Sequence, residues 1–299
     1  MEILLRITSL CNLRCKFCFV RENFGSPPID EIVDLVGKEL KYKSLSKIWV
    51  NITGGEPLIR GDLKDLLSTI GAYSKECGIN LQTNATLITH DLAVMLKKNG
   101  VKSAFVGIPA LTNESYFVLT GKKDGLITAI KGIKCLMSVG IYVCLNFVLS
   151  RLVMEDFYEI PDFVLKNFGN SISVNLSTLS PGTPEDFFKK YGLDYQVAGR
   201  ILQDVYFKLR RYKIKTTYFG GDCSPPICAF NNKDICKIYS FGKPVLPIRY
   251  YDTPNNLVEG YMYKSGRCKE CIYDDRCSGV SSLYVRVFKN HNFNPKKYF

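Results

Sequence analysis

The chain has 299 residues, with 40 Lys and Arg against 28 Asp and Glu, a formal charge of +12, 46% hydrophobic residues, 2 His and 12 Cys. This length suits one large domain, or one domain with a small appendix, and the apolar content excludes a disordered chain. No apolar run reaches the roughly 18 residues that a membrane-spanning helix needs, and the opening Met1-Glu2-Ile3-Leu4-Leu5-Arg6 is acidic and too short in its apolar part for a signal peptide.

Glu2–Thr8 reads as a strand. Ile29–Leu40 follows as a helix, with Asp30 and Glu31 in a first turn that favours negative charge. Lys47–Ile52 is a strand, Leu63–Tyr73 a helix with Leu63, Leu66, Leu67 and Ile70 on one stripe, and Asn80–Thr83 a short strand. Asp91–Lys98 is a helix opening after Thr89, and Ser103–Ile108 a strand. Leu126–Ser138 is a helix that stops before Gly140, a residue that suits a helix end. Ile141–Leu149 is a nearly continuous apolar strand, of the kind buried on both faces of a parallel sheet. Met154–Asn167 reads as a helix that Pro161 kinks or breaks. Ser171–Leu176 is a sixth strand and Tyr195–Arg211 a sixth helix. Strand and helix thus alternate six times, which predicts an α/β fold with parallel strands covered by helices. Beyond about residue 215, Cys, Pro, Gly, Asn and Tyr become dense and periodicity fades. A boundary is expected near Lys215, giving domains 1–215 and 216–299, the second held by metal rather than by a large core.

The cysteines fall into groups. Cys11, Cys15 and Cys18 lie just after the first strand with spacing C-x3-C-x2-C. Three thiolates on one loop can converge on one cluster and leave a cubane's fourth iron open, as a reactive metal site requires. With only 2 His in the chain, thiolate must bind any metal, which favours iron–sulfur clusters or zinc. Cys268, Cys271 and Cys277 form a second group near the end, with Cys223, Cys228 and Cys236 upstream. Cys77, Cys135 and Cys144 sit inside helix or strand patterns and read as small buried hydrophobes. A cytoplasmic chain is expected, and in that compartment these thiols stay reduced.

With these residues in view, the chain resembles the radical S-adenosylmethionine (SAM) superfamily over essentially its whole length. The resemblance implies a partial (β/α)6 TIM barrel with a small SPASM/twitch-like extension. It implies that Cys11, Cys15 and Cys18 hold a 4Fe–4S cluster whose open iron chelates SAM. Gly54-Gly55-Glu56-Pro57 resembles the family's GGEP motif, which contacts the methionyl amino group. Phe17, Asn84, Asn146 and Ser177 would join it as SAM contacts, while Gly107 stands where many relatives carry Ser. One-electron cleavage of SAM would give a 5′-deoxyadenosyl radical that removes a substrate hydrogen, the protein supplying orientation and exclusion of water. A flavodoxin- or ferredoxin-type reductant is the implied partner. The tail implies one auxiliary 4Fe–4S cluster on Cys268, Cys271 and Cys277, with Cys228 or Cys223 as fourth ligand. A zinc held by four thiolates is the alternative.

Three substrate classes suit this pattern. The first is a ribosomally made peptide receiving a crosslink, a thioether or an epimerised residue, with a separate leader-binding protein. The second is a small molecule, an alcohol, sugar or cofactor precursor undergoing radical dehydrogenation. The third, nucleic acid, is suggested by charge alone. Residues 1–180 carry 20 basic and 17 acidic residues, and residues 181–299 carry 20 and 11. The tail therefore suits an acidic partner, although solubility is the plainer reading of such a surface. No catalytic acid or base is assigned.

Overall fold

A computed structural model describes residues 2–20, 24–41, 49–72, 78–217, 219–220, 223–240, 262–289 and 295–297. The first strand, β1 (Glu2–Arg6), leads to α1 (Ile29–Lys41) and β2 (Trp49–Thr53). Then come α2 (Leu63–Ala72), β3 (Gly78–Thr83), α3 (His90–Lys98) and β4 (Val101–Gly107). Two helices, α4 (Asn113–Thr120) and α5 (Gly125–Ser138), precede β5 (Tyr142–Leu149). After α6 (Met154–Phe157) and α7 (Ile160–Phe168) comes β6 (Ser173–Thr178), then α8 (Glu185–Tyr191), α9 (Tyr195–Arg211) and β7 (Lys215–Thr216).

The strand order is β1-β2-β3-β4-β5-β6-β7. The pairs β1/β2, β2/β3, β3/β4, β4/β5 and β6/β7 are parallel. The expected α/β fold of parallel strands and covering helices is therefore present. It has a seventh strand that periodicity missed, because two residues are too few to show a period. Contacts divide the described chain into two compact units. One is built from residues 2–15 and 20–146, the other from 16–19, 147–240 and 262–297.

In the first unit, alternate strand residues form a buried face. Leu5, Val50, Ile52, Ile79, Leu81, Ala104 and Val106 are all essentially inaccessible. Each larger one contributes on the order of 1.5–3 kcal/mol by leaving water. Thr89 caps α3, its Oγ1 accepting from Leu92 N at 3.2 Å, where the sequence placed the helix start. Gly140, at φ +73°, follows α5 in the left-handed region that favours glycine. Register places Arg6 beside Thr53 and Thr83 beside Val106, so these strands end together. The loops after β1, β2 and β3 consequently gather at one edge of the sheet, the carboxyl edge where such folds place their chemistry. Gly71 lies inside α2 with open space where a Cβ would stand. Gly71→Ala is expected to raise stability by about 0.5–1 kcal/mol, read as a higher denaturant midpoint with an unchanged slope.

In the second unit, Pro161 lies in the first turn of α7, the one place a helix tolerates it. The single helix expected over 154–167 is therefore two. Past α9 the elements are short: β8 (Phe219–Gly220), α10 (Lys233–Ile238), β9 (Tyr239–Ser240), β10 (Met262–Tyr263), β11 (Val280–Ser281) and α11 (Ser282–Phe288). β10 and β11 form an antiparallel pair, and β8 pairs with β9 in parallel. Gly279, at φ +90°, turns the chain into β11, where a Cβ would lie 2.2 Å from the Tyr263 carbonyl oxygen.

Candidate functional site

Three clasps hold the segment that carries Cys11 and Cys15. The first is at its base. Ser9 N donates to Gly25 O at 2.8 Å, and Gly25 N donates back to Ser9 Oγ at 2.9 Å. The buried Thr8 donates from Oγ1 to the same Gly25 carbonyl at 3.1 Å and accepts from Leu10 N at 3.1 Å. The second clasp is the Gly54-Gly55-Glu56 backbone. Gly55 N donates to Thr8 O at 2.7 Å and Glu56 N to Leu10 O at 2.8 Å. A Cβ on Gly54 would stand 2.2 Å from Thr8 O, and one on Gly55 2.1 Å from Leu10 O. Only glycine allows this approach. The third clasp is Arg60, whose guanidinium donates to Ile7 O at 2.7 Å and Pro27 O at 2.8 Å. It also forks onto Asp62 at 2.8 and 2.7 Å, holding that carboxyl below its usual range.

Glu56 has no exposed surface. Its Oε1 accepts from Thr83 Oγ1 at 2.7 Å and Leu58 N at 3.2 Å, and its Oε2 from Asn84 N at 2.8 Å. Burial pushes its carboxyl above the ordinary range, although these donors pull the other way. The carboxylate thus ties the loop after β2 to the end of β3. Asn84 is also engaged. Its Oδ1 accepts from Thr86 N and Oγ1, and its Nδ2 donates to Asn12 Oδ1 at 2.9 Å and lies 4.0 Å from Cys11 Sγ. Asn12 Nδ2 closes the ring onto Thr86 Oγ1 at 2.8 Å. Cys11 is exposed and Cys15 half-buried. Asn146 lies within β5 beside Gly107, the last residue of β4; its carbonyl accepts from Ile108 N at 2.9 Å, and a Cβ on Gly107 would meet open space.

In the second unit, Cys18 is half-buried. The Phe17 ring lies 6.3 Å from that of Phe187. Ser177 donates from Oγ to Phe147 O at 3.3 Å. Arg60, Thr86 and Asn12 were not singled out by the sequence, and nothing in their spacing marks them.

The tail thiols surround a cavity. Cys228, Cys268, Cys271 and Cys277 all line it, and its walls are otherwise largely apolar. Cys228 sits in a one-turn 3-10 helix after Pro225-Pro226. Gly199 of α9 packs so closely beneath that turn that a Cβ would lie 2.5 Å from Ala229 O. Cys271 N and Cys277 N are bound to Cys268 O and Tyr273 O at 2.9 and 2.8 Å, and Gly279 N donates to Cys277 Sγ at 3.4 Å. Burial, then the charges of Cys277, Cys271 and Cys268, pushes the Cys228 thiol up to about 12. Cys223 stands apart from the cavity lining, its carbonyl accepting from Thr178 N at 2.7 Å. Cys236 is buried with Ile227 and Tyr273, against Cys271 and Cys277.

Among the described residues, no three His, Cys, Asp or Glu side chains converge tightly enough to hold a single metal ion. A cubane takes its thiolates from around its outside, and four thiols about one cavity fit that donor set. Near the first thiol loop, the buried Tyr116 hydroxyl has no hydrogen-bond partner among the described residues, which fits a site that receives an acceptor from outside the chain. Cys144 is buried and Cys135 half-buried, while Cys77 lies outside the described residues. No helix among the described residues is long and apolar enough to cross a membrane.

The sequence profile of the Radical SAM superfamily matches residues 5–164, which include the first thiol loop, the GGEP segment and the four strands β2 to β5. The chain belongs to the radical SAM superfamily. Radical SAM proteins use a 4Fe–4S cluster and SAM, and those are the groups that Cys11, Cys15, Cys18 and the loops beside them were expected to hold. A GTP 3′,8-cyclase of Helicobacter pylori (strain HPAG1) is 28% identical over 242 residues, covering 79% of this chain and 70% of that protein. A second, from strain ATCC 700392 / 26695, is 30% identical, covering 50% of this chain and 47% of its own. Streptococcus suis SuiB bound to S-adenosylmethionine superposes on 100% of this chain and 75% of its own with a TM-score of 0.67 at 19% identity. In another SuiB structure the chain spans 48% of that protein. At such identities the likeness to SuiB is one of fold.

Proposed function

We propose that this chain reductively cleaves SAM and uses the product to abstract a hydrogen atom from a ribosomally made peptide, installing a crosslink, a thioether or an epimerised residue. The observation that carries the SAM chemistry is the clasping of Thr8 and Leu10, just before Cys11, by the Gly55 and Glu56 backbone at 2.7 and 2.8 Å. Cys11, Cys15 and Cys18 would hold the first cluster, and Gly54–Pro57, Phe17, Asn84, Asn146 and Ser177 would surround SAM. Cys228, Cys268, Cys271 and Cys277 would hold an auxiliary cluster within an extension over 216–299. When bound, these groups supply one-electron cleavage of the sulfonium C–S bond and removal of a substrate hydrogen, with methionine and 5′-deoxyadenosine as products. The chain's own residues fix the thiols, keep the GGEP loop against them and shield the site from water. The electron would come from a flavodoxin- or ferredoxin-type protein in the cytoplasm.

The peptide reading is supported by SuiB bound to precursor peptide SuiA, which superposes on 99% of this chain with a TM-score of 0.64. A structure of anSMEcpe with bound AdoMet and Cp18Cys peptide superposes on 72% with 0.56. A leader-binding protein would then act as a separate partner. A second reading, a cofactor precursor as substrate, is favoured by the GTP 3′,8-cyclases. Reconstituted protein with SAM and reductant is expected to form 5′-deoxyadenosine at a rate indifferent to GTP. Stimulation by GTP, with GTP consumed as deoxyadenosine appears, would move the assignment to the second reading.

A further inference from the structure

Tyr116 sits in the middle of α4 with no exposed surface, yet its hydroxyl has no hydrogen-bond partner among the described residues. Leaving such a group unsatisfied costs about 1–3 kcal/mol. A phenylalanine would fill the same space without that cost, so the hydroxyl points to an acceptor that the polypeptide does not itself provide.

The ring cannot turn away. Gly125, the first residue of α5, packs against it so closely that a Cβ there would lie 2.3 Å from Cε1 and 2.6 Å from Cδ1. The helix around it is fixed as well. Tyr116 N donates to Thr112 O at 2.9 Å, and Thr120 Oγ1 donates to Tyr116 O at 2.8 Å. One turn further on, α4 meets the cluster loop itself. Arg14 N, between Cys11 and Cys15, donates to Thr120 O at 2.8 Å. The helix that carries Tyr116 is therefore bonded, backbone to backbone, to the loop that carries the thiols.

We propose that Tyr116 is a positioning residue of the cluster held by Cys11, Cys15 and Cys18. With that cluster bound, its hydroxyl would donate a hydrogen bond to a cluster sulfide, an acceptor the polypeptide does not supply, and so raise the potential at which the cluster accepts an electron. This rests on the cluster assignment given above. A phenol keeps its proton at neutral pH and so can donate. Cluster sulfurs carry more negative charge in the reduced state. A donor aimed at them therefore stabilises that state more than the oxidised one, and hydrogen bonds to sulfur are among the levers that set cluster potentials.

The test is Tyr116→Phe in the reconstituted holoprotein, titrated against potential and followed by electron paramagnetic resonance. The signal to follow is the one that changes when SAM is added, which separates the first cluster from any auxiliary one. Iron content is expected to match wild type. At a fixed potential the oxidised-to-reduced ratio should rise about five- to tenfold, tenfold corresponding to 59 mV for one electron. The cluster-free variant should be as stable as wild type or more so, since an unsatisfied buried group has gone. An unmoved potential overturns the inference. So does an unmoved potential accompanied by weaker SAM binding, because the acceptor would then be SAM. A wild-type chain with no SAM-responsive signal overturns the cluster assignment and this inference with it. A normal wild-type signal that the substitution leaves in place overturns the inference alone.

Discussion

Gly55→Ala is expected to empty the first cluster site and to lower 5′-deoxyadenosine formation by about 100-fold or more, although it touches no cysteine. The cause is steric. The new Cβ would stand 2.1 Å from Leu10 O, 2.6 Å from its carbonyl carbon and 2.7 Å from Ser9 O, all backbone atoms that no rotamer change can move. Relief requires the two segments to part. That breaks Gly55 N to Thr8 O and Glu56 N to Leu10 O, the bonds that fix the chain just before Cys11. Gly61→Ala is the control, because a Cβ there meets nothing within 4 Å. Iron content and product formation by the two variants, measured side by side, check this. A Gly55→Ala protein that loads iron and cleaves SAM as wild type does would show that the close approach has no bearing on the thiol loop.

Cys228→Ala should take the loaded protein from about eight iron atoms per chain to about four, while Cys223→Ala should leave about eight. Both residues lie upstream of the last three cysteines, and the sequence left the choice between them open. Cys228 shares a cavity with Cys268, Cys271 and Cys277, and its thiol feels the charge of all three. Cys223 lies outside that lining, its carbonyl engaged by Thr178 N and Oγ1. Iron and acid-labile sulfide counts read the outcome directly. The reverse pattern would reassign the fourth ligand to Cys223. About four iron and one zinc in the wild-type chain would replace the auxiliary cluster with a zinc site.

Strong periodicity made most of the fold legible. The apolar run Ile141–Leu149 and the stripe of α9 mark buried elements whatever their neighbours, and both are where the sequence placed them. Among the described residues four helices escaped: α4, α8 and, in the aperiodic tail, α10 and α11. In α4 apolar residues fall on both faces, Tyr116 and Leu119 buried but Phe117 and Val118 exposed, so no stripe forms. In α8, Phe187 and Phe188 are adjacent rather than a turn apart. Its charges do carry a signal, since Glu185 and Asp186 open it and Lys189 and Lys190 close it, as the helix dipole favours.

The site divides in the same way. Cysteine spacing and GGEP are contiguous strings, so they can be read. Arg60, Asn12 and Thr86 act through bonds to distant backbone or side chains, and no local pattern announces them. Tyr116 is the extreme case. Its burial, its orphaned hydroxyl and the glycine that locks its ring all depend on two helices meeting beside the thiol loop.

The central claim is that Cys11, Cys15 and Cys18 hold the cluster that cleaves SAM. Its most direct measurement is 5′-deoxyadenosine released from SAM and reductant by the reconstituted chain, beside the same measurement on Cys15→Ala. Release by the wild-type chain and none above background from the variant is the predicted result, because a cluster lacking one of three thiolates is not held. Release by Cys15→Ala at the wild-type rate would contradict it.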